Sequence, residues 1–321
     1  MEKTSCRYEN MIRYLKNDEI NKQSWDACIQ KAFNGNIYAY SWYLDAVAYG
    51  WEALVDGEYE TVFPLPVRRK FGITYLYQPL FVQQLGIFSI SKLNPRIVQN
   101  FFETLPSQIK YGRIQLNYHN KLESTPTLNV QYKPNIELAL TQSIEQIRKH
   151  YSENTRRNIR KAQNSNLTVI ENQPPDFIVK MFRENHVKHN IAWSDGDYKK
   201  LTHLLYLLIH KGYGLTRGVF DRNNSWLGGA FFAFSHQRVI LLLSAVTEGG
   251  RQTGAMHFLI DDTISRYMEN VLIFDFEGST DPNLARFYNS FGSATYYYPL
   301  VELNRLPHLI SKLYKKLRKL D

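Results

Sequence analysis

Cysteine is scarce in this 321-residue chain, which contains only Cys6 and Cys28 and no C-x-x-C pair. This scarcity argues against a disulfide-stapled scaffold and against a cysteine-ligated zinc site. Long apolar runs are also missing, since no stretch approaches the roughly 18 residues that cross a bilayer, and the start lacks a basic segment followed by an apolar one. We therefore expect a globular cytoplasmic protein, as the 44% hydrophobic and 21% charged composition also indicates.

The formal net charge is +9, and two segments account for it. Residues 148–161 contain six Lys or Arg against one Glu, and residues 312–321 contain five Lys or Arg against one Asp. A basic surface of this kind suits nucleic acid, an anionic membrane, or a phosphorylated or nucleotide-linked substrate. Two solvated helix faces would give the same pattern, so charge alone does not choose between these interpretations.

Alternating helical and strand-like segments predict an α/β chain with two halves. In the first half, residues 22–50 and 95–109 have helical periodicity, and short β-branched or aromatic stretches lie between and after them. The second half begins with a helical pattern over residues 143–162. It continues with strand 167–171, helices 176–188 and 198–211, strands 214–221, 225–235 and 238–247, helix 254–270, strand 271–277, helix 282–291, strand 295–303 and a helix from Pro307.

The first half contains a looser version of this order. Its segment 83–86, Gln-Gln-Leu-Gly, lies at a place comparable to 251–254 in the second half but lacks flanking glycines. We infer a tandem duplication rather than one continuous α/β sheet without a repeat. The predicted domains are residues 1–142, with a degenerate site, and residues 143–321, each with a mixed, mostly antiparallel sheet flanked by helices.

A glycine-rich turn is predicted between the strand 238–247 and the following helix. Such a turn exposes unpaired backbone N–H groups at a helix N-terminus, where the helix dipole favours negative charge, so it can bind phosphate. Many strand-to-helix turns use glycine only to change direction, which keeps the signal weak by itself. The candidate phosphate-binding residues are Gly249, Gly250, Arg251, Gln252, Gly254 and Ala255.

Two carboxylates lie on one face of the strand 271–277, because Asp275 and Glu277 alternate with Phe274 and Phe276. Burying such a pair without partners is costly. The pair therefore lies at the open end of the strand, is held by Arg or by helix N-terminal amides, or has a raised pKa suited to proton transfer. Glu248 is a third carboxylate near the glycine-rich turn. A purely structural role in the Gly278 turn remains open.

The helix that follows begins with Asp281 as a capping acid and Pro282 at its first position. An apolar stripe on it contains Leu284, Phe287, Tyr288 and Phe291 at helical spacing. Tyr288 is the polar member of the stripe, so its hydroxyl is a candidate general acid. Simple core packing is the common reason for a stripe of this kind.

The motifs GGRQTGAM, FDFEGS and LARFYNSFG, spaced as they are, resemble the C-terminal half of the GNAT acyltransferase fold in its Fem-like form, the tandem-GNAT group that includes the peptidoglycan aminoacyltransferases. The Arg-x-x-Gly-Ala turn resembles the GNAT pyrophosphate loop, and Tyr288–Gly292 resembles the Tyr-x-x-Leu-Gly element whose tyrosine is a general acid. The segment NTRRNIRKA, 154–162, is similar to the basic helix of Fem-like proteins. The similarity covers most of residues 143–303.

The resemblance implies an N-acyltransferase, of acetyltransferase type, that moves an acyl group to an amine. Backbone amides near 249–255 would hold the donor phosphates, Tyr288 would be the acid, and Glu248, Asp275 or Glu277 the base. Met256 replaces a small residue of the loop pattern. Tyr288 follows Phe287 where Fem-type aminoacyltransferases have Phe-Lys, which favours acyl-CoA over charged tRNA as donor. The implied acceptor is a small-molecule or cell-wall-precursor amine.

Two alternatives remain. In the first, the donor is aminoacyl-tRNA, the acceptor is a peptidoglycan precursor, and Arg156, Arg157 and Arg160 contact phosphates. In the second, the chain is a non-catalytic binding module that kept the fold. The basic amphipathic pattern 306–320 suits docking on the domain or contact with an anionic membrane. His257 and Asp261 share a helix face but do not complete a metal site, so no metal is expected.

Overall fold

The computed structural model of the protein describes residues 12–188, 193–278 and 281–307. These residues divide into two compact units. The first comprises the chain up to Lys133 and again from Tyr298, and the second comprises Pro134–Tyr297. The division precedes the expected boundary between residues 142 and 143. The chain returns to the first unit near its end because the last described strand pairs there.

The helices and strands follow the expected α/β order. The strands are β1 (Arg13–Leu15), β2 (Glu52–Asp56), β3 (Thr61–Leu65), β4 (Val67–Lys70), β5 (Ile73–Leu76), β6 (Phe88–Ser89), β7 (Ile109–Gln115), β8 (Leu128–Ala139), β9 (Thr168–Glu171), β10 (Gly214–Phe220), β11 (Trp226–Ser235), β12 (Arg238–Val246), β13 (Ile273–Asp275) and β14 (Ala294–Asn304). The helices are α1 (Lys22–Lys31), α2 (Ser41–Val47), α3 (Pro95–Glu103), α4 (Ile144–Lys149), α5 (Glu153–Asn164), α6 (Pro175–Lys188), α7 (Asp195–His210), α8 (Glu248–Thr253), α9 (Ala255–Tyr267) and α10 (Pro282–Asn289).

The first unit contains an antiparallel sheet in the order β1-β2-β3-β6 and a second run of strands in the order β4-β5-β7-β14. Local signals start its helices: the Asn94 side chain accepts the N–H of Ile97, and Pro95 occupies the first turn of α3. Its core is aromatic, with Trp25 and Trp51 in edge contact at 4.7 Å between ring centroids.

The second unit contains strands in the order β8-β13-β12-β11-β10-β9. β13 and β12 are parallel, and the other neighbouring pairs are antiparallel. Helix α9 packs its apolar face against this sheet and against α5. The buried cluster between them includes Ile159, Leu259, Ile260, Phe232 and Phe274. Burial of this stripe fixes the position of the α9 N-terminus, which the candidate site uses.

The predicted helix 143–162 is divided into α4 and α5. Ser152 starts the second helix, since its side chain accepts the N–H of Thr155 while its own N–H donates to Ser290 O at 2.8 Å. Apolar residues keep their helical spacing through this break, so periodicity alone could not indicate that a new helix starts at Ser152. The predicted strand 271–277 is also shorter, since regular strand structure covers only Ile273–Asp275. The predicted terminal helix lies outside the described residues from His308 onward.

In the first unit, segment 83–86 lies extended beside the end of β7. Leu85 N–H donates to Gln115 O at 2.8 Å, and the Asn120 side chain accepts the N–H of Ile87 at 2.7 Å. Gly86 has φ +98, and a Cβ there would lie 2.2 Å from Asn120 Oδ1. Among the described residues the next helix begins only at Pro95, so this segment opens no helix N-terminus. None of the described helices is long and apolar enough to cross a membrane.

Candidate functional site

Strand β12 separates from its neighbour β13 after its third residue. It pairs with β11 from Arg238 to Val246, but with β13 only as far as Ile240. Beyond that point the chain after β13 stays with β8, since Phe276 N–H donates to Ile136 O at 2.9 Å. Within the described residues, the β13-facing edge of segment 241–246 therefore has no strand partner, and a gap opens between the two strands.

A β-bulge at Leu242 explains where the gap begins. The pairs Phe232–Leu241 and Phe231–Leu243 leave Leu242 as an extra residue on β12. A bulge bends the strand that carries it and increases its twist, and bulges are frequent next to active sites. The bulge lies two residues after the last pair with β13. The bend therefore accounts for the divergence of β12.

The predicted glycine-rich turn is a short helix, α8, and not a turn. Thr247 starts it, because its hydroxyl accepts the N–H of Gly250 at 3.0 Å and donates to Leu227 O at 2.9 Å. A Cβ on Gly250 would lie 2.2 Å from Leu227 O. Glycine is thus needed here so that the helix can approach β11. The segment is helical although Gly249 and Gly250 favour a turn, because the Thr247 cap stabilises the first turn of the helix.

Gly254 joins α8 to α9 in a left-handed conformation. Its φ is +77, and a Cβ there would lie 2.5 Å from Asn158 O on α5. Gly254 is the N-cap of α9, so the N–H groups of Ala255, Met256 and His257 form the first turn and have no acceptor within that helix. This first turn, with its helix dipole, is the part of the glycine-rich segment that favours an anion.

A cavity of about 420 Å³ lies between the free edge of β12 and the first turn of α9. Its walls are mainly apolar. On the strand side the lining residues are Ser244, Ala245 and Val246; on the α8–α9 side they are Gly250, Arg251, Gly254, Met256 and His257; on α10 they are Leu284 and Phe287; and α6 contributes Asn185. The cavity therefore combines a strand edge, a helix N-terminus and an apolar wall.

The structure brings three of the predicted phosphate-binding residues, Gly250, Arg251 and Gly254, to the cavity wall. The other three are close in sequence but do not line it. Gly249 and Gln252 lie on α8, and Ala255 is buried in the core below the first turn of α9. Their role in holding a donor stays a prediction.

Asp275 lies in a buried ion cluster. Arg238 Nη1 is 2.9 Å from Glu137 Oε1 and 3.2 Å from Asp275 Oδ2, and the Asn135 amide donates to both carboxylates. Burial raises the pKa of Asp275 to about 6; the Arg238 charge opposes this rise, and the Glu137 charge adds to it. The cluster ties β13 to β8 and β12. Asp275 is not among the residues that line the cavity.

Glu248 and Glu277 also lie away from the cavity lining. The side chain of Glu248 is 71% exposed and forms a salt bridge with Arg251 at 3.2 Å. Glu277 has φ +59, and its N–H donates to Asp275 Oδ1 at 2.9 Å. Left-handed backbone at a residue other than glycine is uncommon, and such strain is concentrated at functional sites. The catalytic roles of both carboxylates stay predictions.

Tyr288 lies in the core, with its ring 4.9 Å from that of Phe276. Burial raises the pKa of its hydroxyl, and the charge of Glu277 adds to the rise, so the group is protonated at neutral pH. On the same helix, Leu284 and Phe287 are the members of the predicted apolar stripe that line the cavity. Part of the stripe thus lines the cavity and part of it packs in the core. The role of Tyr288 as an acid stays a prediction.

His257 is a cavity residue that sequence reasoning considered only as a metal ligand. Its ring contacts Phe287 edge-on at 4.8 Å, and burial lowers its pKa to about 4, so the imidazole is neutral at physiological pH. Asp261, its expected partner, instead accepts two bonds from Arg148, at 2.9 and 2.8 Å. The position of His257 in the sequence could have indicated its place at the cavity, because it lies in the first helical turn after the glycine-rich segment.

The predicted arginines are exposed on α5, whose other face packs against α9. Arg156 donates to Lys149 O at 3.2 Å, and Arg157 donates to Asn154 Oδ1 at 2.8 Å. Arg160 and Lys161 are exposed beside them. None of the four forms a salt bridge with an acidic side chain within the described part of the chain. This face of α5 is a basic surface, and its Arg157 directly precedes Asn158, the residue that Gly254 approaches.

A strand that leaves its parallel neighbour at a bulge, beside the N-terminus of the next helix, is the donor-site arrangement expected for a GNAT fold. Solved structures show the same fold over nearly the whole chain. FemX is similar with a TM-score of 0.69 and 12% identity, covering 94% of this chain and 99% of FemX.

Two further structures are similar at lower scores. A conserved protein of unknown function from Bacteroides thetaiotaomicron has a TM-score of 0.59 and 10% identity, covering 92% of this chain and 100% of its own. L-PGS from Bacillus licheniformis has a TM-score of 0.53 and 9% identity, covering 92% and 96%. No protein-family model and no curated protein sequence matches the chain. The predicted Fem-like tandem GNAT fold is confirmed, and identities this low establish the fold alone.

Replacing Gly254 with alanine is expected to lower the free energy of unfolding by about 2 kcal/mol or more. A left-handed conformation costs an L-residue about 1–2 kcal/mol, and the new Cβ would clash with Asn158 O. Gly249→Ala is the control, since its Cβ would meet no atom closer than 3.8 Å. Alanine there is expected to raise stability by up to about 1 kcal/mol. Urea unfolding measures both, and equal losses would contradict the packing role of Gly254.

The buried imidazole of His257 gives a second prediction, for acid stability. Burial lowers its pKa to about 4 in the folded chain, below the ordinary histidine value of 6.5, so the unfolded chain binds the proton more readily. The free energy of unfolding therefore falls as the pH falls from about 6.5 toward 4, by about 3 kcal/mol at the limit. His257→Gln removes this contribution, while Asp275 titrates in both proteins. A difference between them that does not change with pH would contradict a neutral buried His257.

Proposed function

We propose that the protein is an N-acyltransferase that takes its acyl group from a thioester donor carrying phosphate, acyl-CoA in the first instance, and transfers it to an amine. The observation that carries the proposal is the unpaired edge of β12 beyond Ile240, beside the cavity and the first turn of α9. Strand edges offer N–H and C=O groups to an extended ligand, as in β-strand addition. The pantetheine arm of a CoA thioester is extended and carries amides.

The two ends of such a donor need different surroundings, and the cavity provides both. The N–H groups at the start of α9 suit a pyrophosphate, with Arg251 as an added cation. The acyl end fits the apolar wall formed by Val246, Leu284 and Phe287. An acyl carbonyl at the free edge of β12 would be polarised by a backbone N–H, which stabilises the oxyanion as it forms.

His257 is the proton acceptor in this proposal, because it is the neutral base among the cavity residues. The amine nitrogen attacks the thioester carbonyl carbon and forms a C–N bond, and the imidazole takes the proton that this nitrogen loses. The C–S bond then breaks, and the leaving thiolate takes a proton. The donor of this proton is the imidazolium itself, or the Tyr288 hydroxyl, in which case the imidazolium proton returns the tyrosinate to its neutral form. Burial makes His257 a weak base, which suits the strongly acidic N–H of a tetrahedral intermediate.

Orientation supplies much of the rate in a reaction of this kind. Holding two reactants in attack geometry can lower the barrier by about 7–11 kcal/mol. The peptide edge, the helix N-terminus and the apolar wall all belong to helices and strands of the second unit. The acceptor amine is a small molecule or a cell-wall precursor in this proposal.

Acetyl-CoA is expected to bind the protein and to raise its thermal unfolding temperature. Leu284→Trp should weaken binding by about tenfold or more, since an indole at this half-exposed position fills the cavity mouth. Asn283→Trp is the matched control, because Asn283 is exposed on the same helix and does not line the cavity. Isothermal titration calorimetry measures both affinities. Equal weakening in the two variants, or no binding by the parent protein, would contradict the proposed donor.

Turnover separates the two proton-transfer residues. With a panel of amines and acetyl-CoA, release of free thiol is expected to fall by about a hundredfold or more in His257→Gln, the range typical of a lost acid or base. Tyr288→Phe keeps the ring in the core and removes only the hydroxyl. A comparable loss supports Tyr288 as the acid, and unchanged turnover removes it from the mechanism. If the His257→Gln variant keeps its turnover, His257 is not the proton acceptor.

The second candidate function is transfer of an aminoacyl group from charged tRNA to a peptidoglycan precursor. One observation favours it: the exposed basic face of α5, with Arg156, Arg157 and Arg160, begins next to Gly254. Arginines spaced on one helix face suit a polyanion. If charged tRNA binds while acetyl-CoA does not, and if glutamine at these three positions abolishes that binding, this candidate replaces the first.

A further inference from the structure

The hairpin formed by β4 and β5 ends in a turn with an unusual residue. Lys70 pairs with Ile73, so Phe71 and Gly72 are the two turn residues, and their φ values are +51 and +75. A two-residue turn with both φ positive strongly prefers Asn-Gly or Gly-Gly. A phenylalanine in this conformation is unfavourable for the backbone. The turn geometry therefore gives no reason for an aromatic side chain.

Packing gives no reason either. The side chain of Phe71 is 73% exposed, and its ring contact is with the neighbouring Lys70 ammonium at 5.6 Å. The residue thus breaks a turn preference and exposes a large apolar surface, and the contacts described for it show no gain for the fold. Positions that break local rules without structural compensation are those at which function is expected.

The hairpin is also strongly basic. Arg68, Arg69 and Lys70 are consecutive and exposed on β4. Between Glu60 and Glu103 the sequence has five Lys or Arg and no acidic residue. The Arg68 guanidinium lies over the ring of Tyr77, the residue after β5, at 4.0 Å, which fixes its position. The segment therefore carries an excess of positive charge in sequence around Phe71.

Two simpler explanations do not cover both features. Charged residues on an edge strand prevent pairing with other chains, but an exposed aromatic at the same edge acts in the opposite direction. Nucleic acid needs aromatic rings in a basic groove where bases can stack, whereas the end of a two-residue turn is convex and encloses nothing. An aromatic tip with a basic flank matches a different surface, the headgroup layer of an anionic bilayer.

We propose that the β4–β5 hairpin docks the protein on an anionic phospholipid membrane. Phe71 enters the headgroup layer, and Arg69 and Lys70 contact lipid phosphates. The hairpin belongs to the first unit and shares no residue with the cavity of the second unit. The proposal therefore stands independently of acyl transfer, although it would bring a membrane-bound acceptor within reach of an enzyme.

Vesicle sedimentation of the full chain tests the proposal. The protein is expected to bind vesicles of phosphatidylcholine mixed with phosphatidylglycerol, to ignore vesicles of phosphatidylcholine alone, and to be released by added salt. Phe71→Asn should weaken binding about tenfold through the lost apolar contact. This substitution creates the preferred Asn-Gly turn, so the hairpin keeps its fold. Arg69→Gln with Lys70→Gln should also weaken binding about tenfold or more.

Tyr49→Asn is the matched control. Tyr49 is 95% exposed and, like Phe71, precedes a glycine with positive φ, but its segment carries Asp45 and Glu52 instead of basic residues. Its variant is expected to bind vesicles as the parent protein does. Three results would overturn the proposal: a parent protein that ignores anionic vesicles, a Phe71→Asn variant that binds them equally well, or a Tyr49→Asn variant that is equally impaired. If the protein binds tRNA through Phe71 and does not bind vesicles, the hairpin is an RNA-binding element instead.

Discussion

The divergence of β12 from β13 after Ile240 is the constraint on which the candidate site depends. If the parallel pairing of β12 with β13 continued to Val246, the backbone N–H and C=O groups of both strands would bond to each other. No room would then remain for a ligand. The bulge at Leu242 bends β12, and the N–H of Phe276 keeps the other chain on β8. One extra residue in a strand thus produces both the cavity and the unpaired edge that lines it.

Buried charges hold this divergence in place. Arg238 lies at the paired end of β12 and contacts Glu137 of β8 and Asp275 of β13. Two carboxylates opposite each other on neighbouring strands would repel, and the shared guanidinium and the Asn135 amide offset this. Removing one partner of such a cluster leaves an uncompensated buried charge, which is strongly destabilising. The closed end of the gap is therefore held by an ion cluster, and at the open end β12 has no partner on this side within the described residues.

Glycine has two separate roles around the cavity. Gly250 and Gly254 allow backbone to approach backbone, at Leu227 and at Asn158. These contacts set the position of α9, and its first turn then faces the cavity. The anion-binding capacity of this turn follows from helix geometry and not from glycine itself. The proposed donor site and the packing of α5 on α9 are consequently parts of one arrangement.

Local sequence determined the order of helices and strands, the motifs of the fold and the glycine-rich segment that leads into α9. Periodicity, caps and turn residues act over a few positions, so segments such as 238–247 and 282–291 could be predicted. Only tertiary structure decided which side chains meet. The same spacing is compatible with Tyr288 at a cavity or in a core, and packing of its ring on Phe276 placed it in the core. Asp275 lies beside Asn135, which is 140 residues away in sequence, because β13 pairs with β8. This pairing determined that Asp275 joins neighbouring strands. His257 lines the cavity only because the bulge in β12 opened a space beside it.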